Sequence, residues 1–325
     1  MSIETLKDRV RHQRDELPVV YGSVDFDLVP ERLALGPDDE SDLPPSVPIS
    51  REEILADADL VELMATATML GDVVCDAYVA LVPELGMQKV IEMVRVACRD
   101  GIEAIDDPPE ELVAFIAAME EVPDWIDLDM VERGARSERI PAALVSPFAI
   151  RGAFLATFIN EYAALPMAIT GSLSDKRAAK RVNETASFFA STVLPGGMRR
   201  DGPGFEAAAM VRLMHSMVRY NALNRSDRWD QSRFGIPIPQ VDQMPAGLIG
   251  AFLAASGALK DGRDFTPDER AQVEVARYRC HLLGLPEELL PTDPQGLARV
   301  FLARAATLRK GFDDATCGEL VRATM

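Results

Sequence analysis

Along most of this chain apolar residues return every three to four positions, the period of a helix buried on one face. From residue 51 onward that period predicts helices over 51–70, 73–82, 87–101, 109–119, 127–133, 144–171, 174–193, 204–224, 243–258, 266–283 and 294–310. Proline and glycine punctuate them at Pro83, Gly86, Pro108-Pro109, Pro123, Gly134, Gly171, Pro195-Gly-Gly, Gly202-Pro-Gly204 and Gly235 to Pro239. Two helix starts carry capping boxes, Ser50-Arg-Glu-Glu53 and Thr266-Pro-Asp-Glu269, the second with proline at its first helical position. No segment keeps a strand alternation and no repeat is visible. The expected fold is all-α, one helical domain over residues 51–325.

Residues 1–50 break the pattern. A short charged segment leads into Pro30, Pro37, Pro44, Pro45 and Pro48, with Asp38-Asp39-Glu40 between them. This reads as a Pro-rich, acidic N-terminal extension, either free or laid along the domain. Val19-Val20-Tyr21 and Phe26-Asp-Leu-Val29 offer apolar anchors and favour the second reading.

Composition narrows the class. Hydrophobic residues make up 48% and aromatics 6%, a balance that suits packed helices better than a β-sandwich. A net charge of −18 and a pI near 4.6 argue against nucleic acid or anionic membrane as partners, since both need cationic patches. The N-terminus carries no apolar signal core. The longest uncharged run, Met244 to Leu259, falls short of the roughly 18–20 residues of a membrane span. Cys75, Cys98, Cys280 and Cys317 are scattered, as expected of reduced thiols in a cytoplasmic protein. Oligomeric state is not legible.

Chemistry concentrates in one stretch, Val211-Arg212-Leu-Met-His215-Ser-Met-Val-Arg219, which holds one of three histidines in 325 residues. On a helix, Ala208, Arg212, His215 and Arg219 share a stripe, with Met210, Leu213, Met214, Met217 and Val218 opposite. Upstream, Arg177, Arg181, Thr185, Phe188 and Thr192 share another face, with Glu184 beside them. Two readings stay open for both stripes. One is a solvated face with an Arg181–Glu184 pair. The other is a haem site, where one imidazole binds iron and arginines meet the propionates. Covalent attachment is excluded by the lack of Cys-x-x-Cys-His. Zinc or non-haem iron needs several converging ligands, and His12 and His281 lie in the N-terminal segment and at a helix end. No phosphate loop, dinucleotide fingerprint or nucleophile elbow is present.

Several pieces together resemble the rubber-oxygenase (latex clearing protein)/MpaB family: Arg181-x-x-x-Thr185, Pro195-Gly-Gly, Gly204-Phe205, Val211-Arg212-Leu-Met-His215-x-x-Val218-Arg219, Trp229-Asp230 and Gly235-Ile-Pro-Ile-Pro-Gln240-x-Asp242-x-Met244. Pro123-Asp-Trp125-Ile-Asp127…Arg133-Gly134 and His281-Leu-Leu-Gly-Leu-Pro extend the likeness to about residues 120–290. The resemblance implies globin-like helix packing, a non-covalent haem b, and use of iron and dioxygen to oxidise hydrophobic, often isoprenoid, substrates with cleavage of C=C bonds. Carried over by position, His215 would be the proximal iron ligand, Arg212 would support the haem or the ligand geometry, and Arg219 would be cofactor-binding. Arg181 and Thr185 would line the distal side, where either could stabilise charge on dioxygen. Glu161 is the nearest match to a distal carboxylate. Rubber-cleaving relatives carry a lysine where this chain has Glu184, which could take a proton or turn away. They also carry an export signal, so a small intracellular apolar substrate is expected here, held by Phe154, Phe158, Met167 and Leu248. A hydroxylase or dehydrogenase, a non-catalytic haem or oxygen-binding protein, and a haem-free helical enzyme or scaffold are the alternatives.

Overall fold

The computed structural model describes residues 3–169 and 175–325, with the side chains of 145–147, 154 and 175–179 also outside the description. Among the described residues there is no strand, only isolated bridges joining Leu33 to Leu308 and Ser41 to Arg309. The fold is all-α, and both capping boxes form: the Ser50 and Thr266 hydroxyls accept from the Glu53 and Glu269 amides. All four cysteines are free and buried.

Most predicted helices fall where the period places them, and two predicted stretches are divided differently. Residues 51–70 divide into Arg51–Leu55 and Ala58–Ala67, because Asp57 caps the second helix and turns the chain between them. The two segments 127–133 and 144–171 are instead one helical run, Leu128–Phe158, bent by 84° between Leu144 and Phe148, followed by Glu161–Ile169. Gly134 reads as a breaker in sequence but is a contact in space. A Cβ there would overlap the Ala271 carbonyl, so glycine is what lets Leu128–Phe158 cross close to Pro267–Leu282. The new break falls at Asn160. Its Oδ1 accepts from the Tyr162 amide at 3.0 Å, and its Nδ2 donates to the Arg309 carbonyl at 3.0 Å. The predicted end at 171 lies outside the described residues.

The extension is packed rather than free. A first helix, Ile3–Glu16, buries Leu6, Val10 and Gln13, and Val20, Tyr21 and Val24 join the same core as the later helices. Val19 and Val29, named as anchors with them, stay exposed. The Pro-rich segment is held by polar contacts. Arg32 forks onto both oxygens of Asp242 at 2.7 and 2.9 Å, and Arg51 donates to the Ala34, Gly36 and Pro37 carbonyls.

Packing then brings the interior together. Pro203–Arg225 lies between Val73–Val79, Met87–Asp100 and Asp175–Thr192; Gln240–Lys260 packs on Pro267–Leu282 and Pro294–Thr307. Gly71, just before the Val73–Val79 helix, touches Tyr21 so closely that a Cβ would overlap its hydroxyl. Tyr21 is fully buried and tied to Asp76, so it cannot swing away. Gly71→Ala is therefore expected to lower unfolding stability by about 1–3 kcal/mol. Urea denaturation checks this, and a loss under about 0.5 kcal/mol would mean the contact relaxes freely.

Candidate functional site around His215

The helix Pro203–Arg225 is buried on nearly all sides, including the side that sequence reads as solvated. Arg212 is 6% exposed and Arg219 0%. A guanidinium cannot lose water without a partner, and two aspartates supply it. Arg212 meets Asp72 through two parallel bonds of 2.7 Å. Arg219 donates to Asp76 at 2.5 Å and to the carbonyls of Pro237 and Ile238 at 3.1 and 2.7 Å. Tyr21 donates its hydroxyl to the other Asp76 oxygen. Asp72 and Asp76 are one turn apart at the start of Val73–Val79, where Asp72 also caps the helix.

The electrostatics follow this pairing. Burial raises the Asp72 carboxyl, but the charge and hydrogen bonds of Arg212 outweigh it and leave Asp72 below the usual carboxylate range. Burial dominates at Asp76, which is raised despite Arg219. Both arginines of the His215 stripe are thus committed to carboxylates of the chain. This corrects the solvated-face expectation, and it differs from the assignment of Arg212 and Arg219 to haem support. Their contacts fix the helix that carries His215.

His215 itself is partly buried. Its Nδ1 lies 2.9 Å from the Gln243 Oε1, and its Nε2 has no hydrogen-bond partner among the described residues. Gln243 reaches it, backed by Gln240, from the start of Gln240–Lys260, which the segment Gly235-Ile-Pro-Ile-Pro-Gln240 delivers. Within that segment Ile238 sits at φ 47°, a left-handed backbone costly for a β-branched side chain. The Arg219 clasp on Pro237 and Ile238 holds it there. Desolvation pushes the His215 imidazole down to about 4, opposed by the Gln243 bond and helped by the charges of Arg219 and Arg181. The ring is therefore neutral at physiological pH, with a lone pair available.

A depressed histidine has a definite pH signature. The unfolded ring takes a proton near 6.5, whereas the folded ring resists until about 4. Between those values the unfolded state binds more protons, so stability falls as pH drops through the window. The full contribution, present above pH 6.5, is about 3 kcal/mol from a shift of this size. Denaturant melts of the protein at pH 7, 5.5 and 4.5, against His215→Gln as reference, check it. A reference that loses as much as wild type would refute the assignment.

Arg181 approaches from the neighbouring helix Asp175–Thr192. Its Nη1 lies 3.8 Å from the Met214 sulfur, next in sequence to His215, and it makes no ion pair among the described residues. Burial lowers its affinity for the proton, with Glu184 opposing weakly. Thr185, one turn on, is partly buried.

The other candidates lie elsewhere. Glu184 is exposed and pairs with Lys180 at 3.5 Å, not with Arg181; it turns away, because its position on the helix points outward. Glu161 opens its own helix and bonds Arg233 at 2.8 Å, beside Tyr162 and Gly311. Among the described residues none of its contacts reaches His215, Arg181 or Thr185. His12 bonds the Asp8 carbonyl, and His281 bonds the Glu121 carbonyl and packs on Trp125, itself covered by Arg277. The Trp125 and His281 segments, far apart in sequence, thus meet. Phe158 and Met167 pack with Cys317 and Leu320, and Leu248 lies in the main core; the Phe154 side chain is outside the described residues.

Among the described residues no three His, Cys, Asp or Glu side chains are grouped to hold a bare metal ion. His215 is a single nitrogen donor near Arg181, a cation with no carboxylate partner among the described residues. Asp72, Asp76, Gln240 and Gln243 escaped sequence reasoning as site residues. The one signal for the acids is their one-turn spacing in an apolar helix start.

Residues 140–322 match the family model described as "ER-bound oxygenase mpaB/B'/Rubber oxygenase, catalytic domain". The match spans more than half of the chain, and the chain belongs to this family of oxygenases. Among solved structures it is similar to "Structure of Latex Clearing Protein LCP in the closed state", at 20% identity and a TM-score of 0.57. That likeness, which is to the fold, covers 74% of this chain and 65% of the other, under two thirds of its length. No curated protein matches the sequence. Among the described residues no single helix is long and apolar enough to cross a membrane.

Proposed function

We propose that this chain is a haem b-dependent oxygenase that uses dioxygen to oxidise a small hydrophobic substrate, with cleavage of a C=C bond the leading reaction. The observation that carries it is His215: a neutral, partly buried imidazole whose Nδ1 is engaged by Gln243 and whose Nε2 has no hydrogen-bond partner among the described residues. A haem needs one such protein nitrogen, apolar walls and a cation for its carboxylates. Val211, one turn before His215 on the same helix and partly buried, offers an apolar wall. Arg181, unpaired by any acid among the described residues, offers the cation. The residues present fit the group.

When bound, haem iron supplies the activation of dioxygen that side chains lack. The rest falls to this chain. His215 would hold the iron through Nε2. Arg212–Asp72 and Arg219–Asp76 keep its helix in place. Arg181 would bind a propionate or, from the other side, stabilise developing negative charge, with Thr185 as a neutral hydroxyl donor one turn away. Glu184 and Glu161, by their contacts, stand apart from this centre and are assigned no proton transfer.

The test is an absorption spectrum and pyridine haemochrome of protein made with ample haem precursor, followed by oxygen uptake with isoprenoid alkenes. A b-type Soret band and aldehyde or ketone products are expected. Failure to take up added haemin would refute the reading, and alcohols in place of carbonyl products would refute C=C cleavage. Arg181→Leu is expected to weaken haemin binding about tenfold, the value of one charge-assisted contact of about 1.4 kcal/mol. Unchanged binding in a haemin titration would remove Arg181 from the site.

A further inference from the structure

The polar groups behind His215 form a one-way chain. Gln240 is fully buried, and its Nε2 donates to the Gly71 carbonyl at 3.2 Å. A backbone carbonyl can only accept, so this contact fixes which end of the Gln240 amide is which. Its Oε1 therefore faces Gln243 and accepts from the Gln243 Nε2 at 2.7 Å. That leaves the Gln243 Oε1 toward His215, 2.9 Å from Nδ1. An oxygen accepts, so Nδ1 must carry the ring proton and Nε2 must not. Reversing either amide would set two acceptors, or two donors, face to face in the interior.

The far end is equally firm. Gly71 donates its amide to the Gln13 Oε1 at 2.7 Å, and Gln13 donates to the Met69 carbonyl at 2.9 Å. Gln240 also donates its own backbone amide to the Leu70 carbonyl at 2.9 Å. The 69–71 turn is thus pinned from both sides, by Gln13 of the first helix and by Gln240.

We propose that Gln243, oriented by Gln240, is a positioning residue that locks His215 in its Nδ1–H tautomer and presents the Nε2 lone pair as the ligand. Its consequence for binding rests on the haem reading above, whereas the tautomer does not. The acceptor is a neutral amide, so the imidazole keeps its proton and remains a moderate donor to a metal. A carboxylate in that place would make it a stronger one.

The experiment is long-range ¹H–¹⁵N correlation on histidine-labelled protein free of cofactor, at neutral pH. Wild type is expected to show His215 with a protonated Nδ1 and an unprotonated Nε2. Gln243→Met removes the acceptor and should shift the ring toward the Nε2–H form. Gln243→Glu, as the neutral acid donating its O–H to the Gln240 oxygen, keeps an acceptor toward the ring and should return it to Nδ1–H. Gln240→Met frees the Gln243 amide to turn and should give both tautomers, an effect that a packing role would not produce. Circular dichroism and melting identify any variant that fails to fold, and the wild-type and Gln243→Glu spectra then decide. A wild-type Nε2–H ring, or tautomers indifferent to these changes, would overturn the proposal. In haemin titrations Gln243→Met should bind 10- to 100-fold more weakly than wild type. If the tautomers behave as stated while wild type binds no haemin, the oxygenase reading fails and the positioning role stands.

Discussion

His215→Gly is expected to give a folded protein that purifies colourless and takes up no haemin, while wild type acquires a Soret band. The reason is the scarcity of alternatives. The other two histidines are tied to backbone carbonyls away from the site, His12 to Asp8 and His281 to Glu121. The cysteines are buried; Cys75, nearest in the fold to the Arg212–Asp72 pair, is held protonated by burial and by the adjacent aspartate. The variant opens a space with the Gln243 oxygen at its back, so added imidazole should restore the band. The pair of results separates a lost ligand from a lost fold. A variant that keeps full haem and an unaltered spectrum would show that His215 is not the ligand.

The second large effect is in stability. Asp76→Ala strands the fully buried Arg219 guanidinium, and breaking such a pair from one side costs about 3–5 kcal/mol. Arg219→Ala should cost a similar amount, since it also releases the Pro237 and Ile238 carbonyls and the strained Ile238 backbone. Asp76→Leu with Arg219→Met should be less damaging than the sum of the single changes, because no charge is left unpaired. A urea double-mutant cycle measures this. Single variants within about 1 kcal/mol of wild type would mean that water reaches the pair.

How much of this was legible beforehand depends on the range of the interaction. The stripe Arg212–His215–Arg219 was correctly placed on a helix, and its histidine stands out by scarcity alone. The same wheel left the arginines open to solvent or to a cofactor, because a helical period cannot show acids on another helix. Asp72 and Asp76 lie some 140 positions away in sequence. Gln240 and Gln243 sit in a recognisable motif, but nothing local says that their amides point at a ring on another helix. Gly134 shows the same limit: by propensity it ends a helix, whereas in the fold it lets two helices touch. Glu184 and Glu161 carried plausible charges at plausible spacing, and only their contacts with Lys180 and Arg233 set them apart from His215.

The sequence alone determined the helical class, most helix limits, both capping boxes and the likeness that the family match bears out. Those features rest on hydrogen bonds and apolar periods within a few residues, which a linear pattern records. The tertiary structure alone decided which residues of the acidic extension enter the core, that two arginines are neutralised internally, and that a chain of amides stands behind His215. Each of these is the burial of a polar group, and a buried polar group must find its partner wherever the fold brings one.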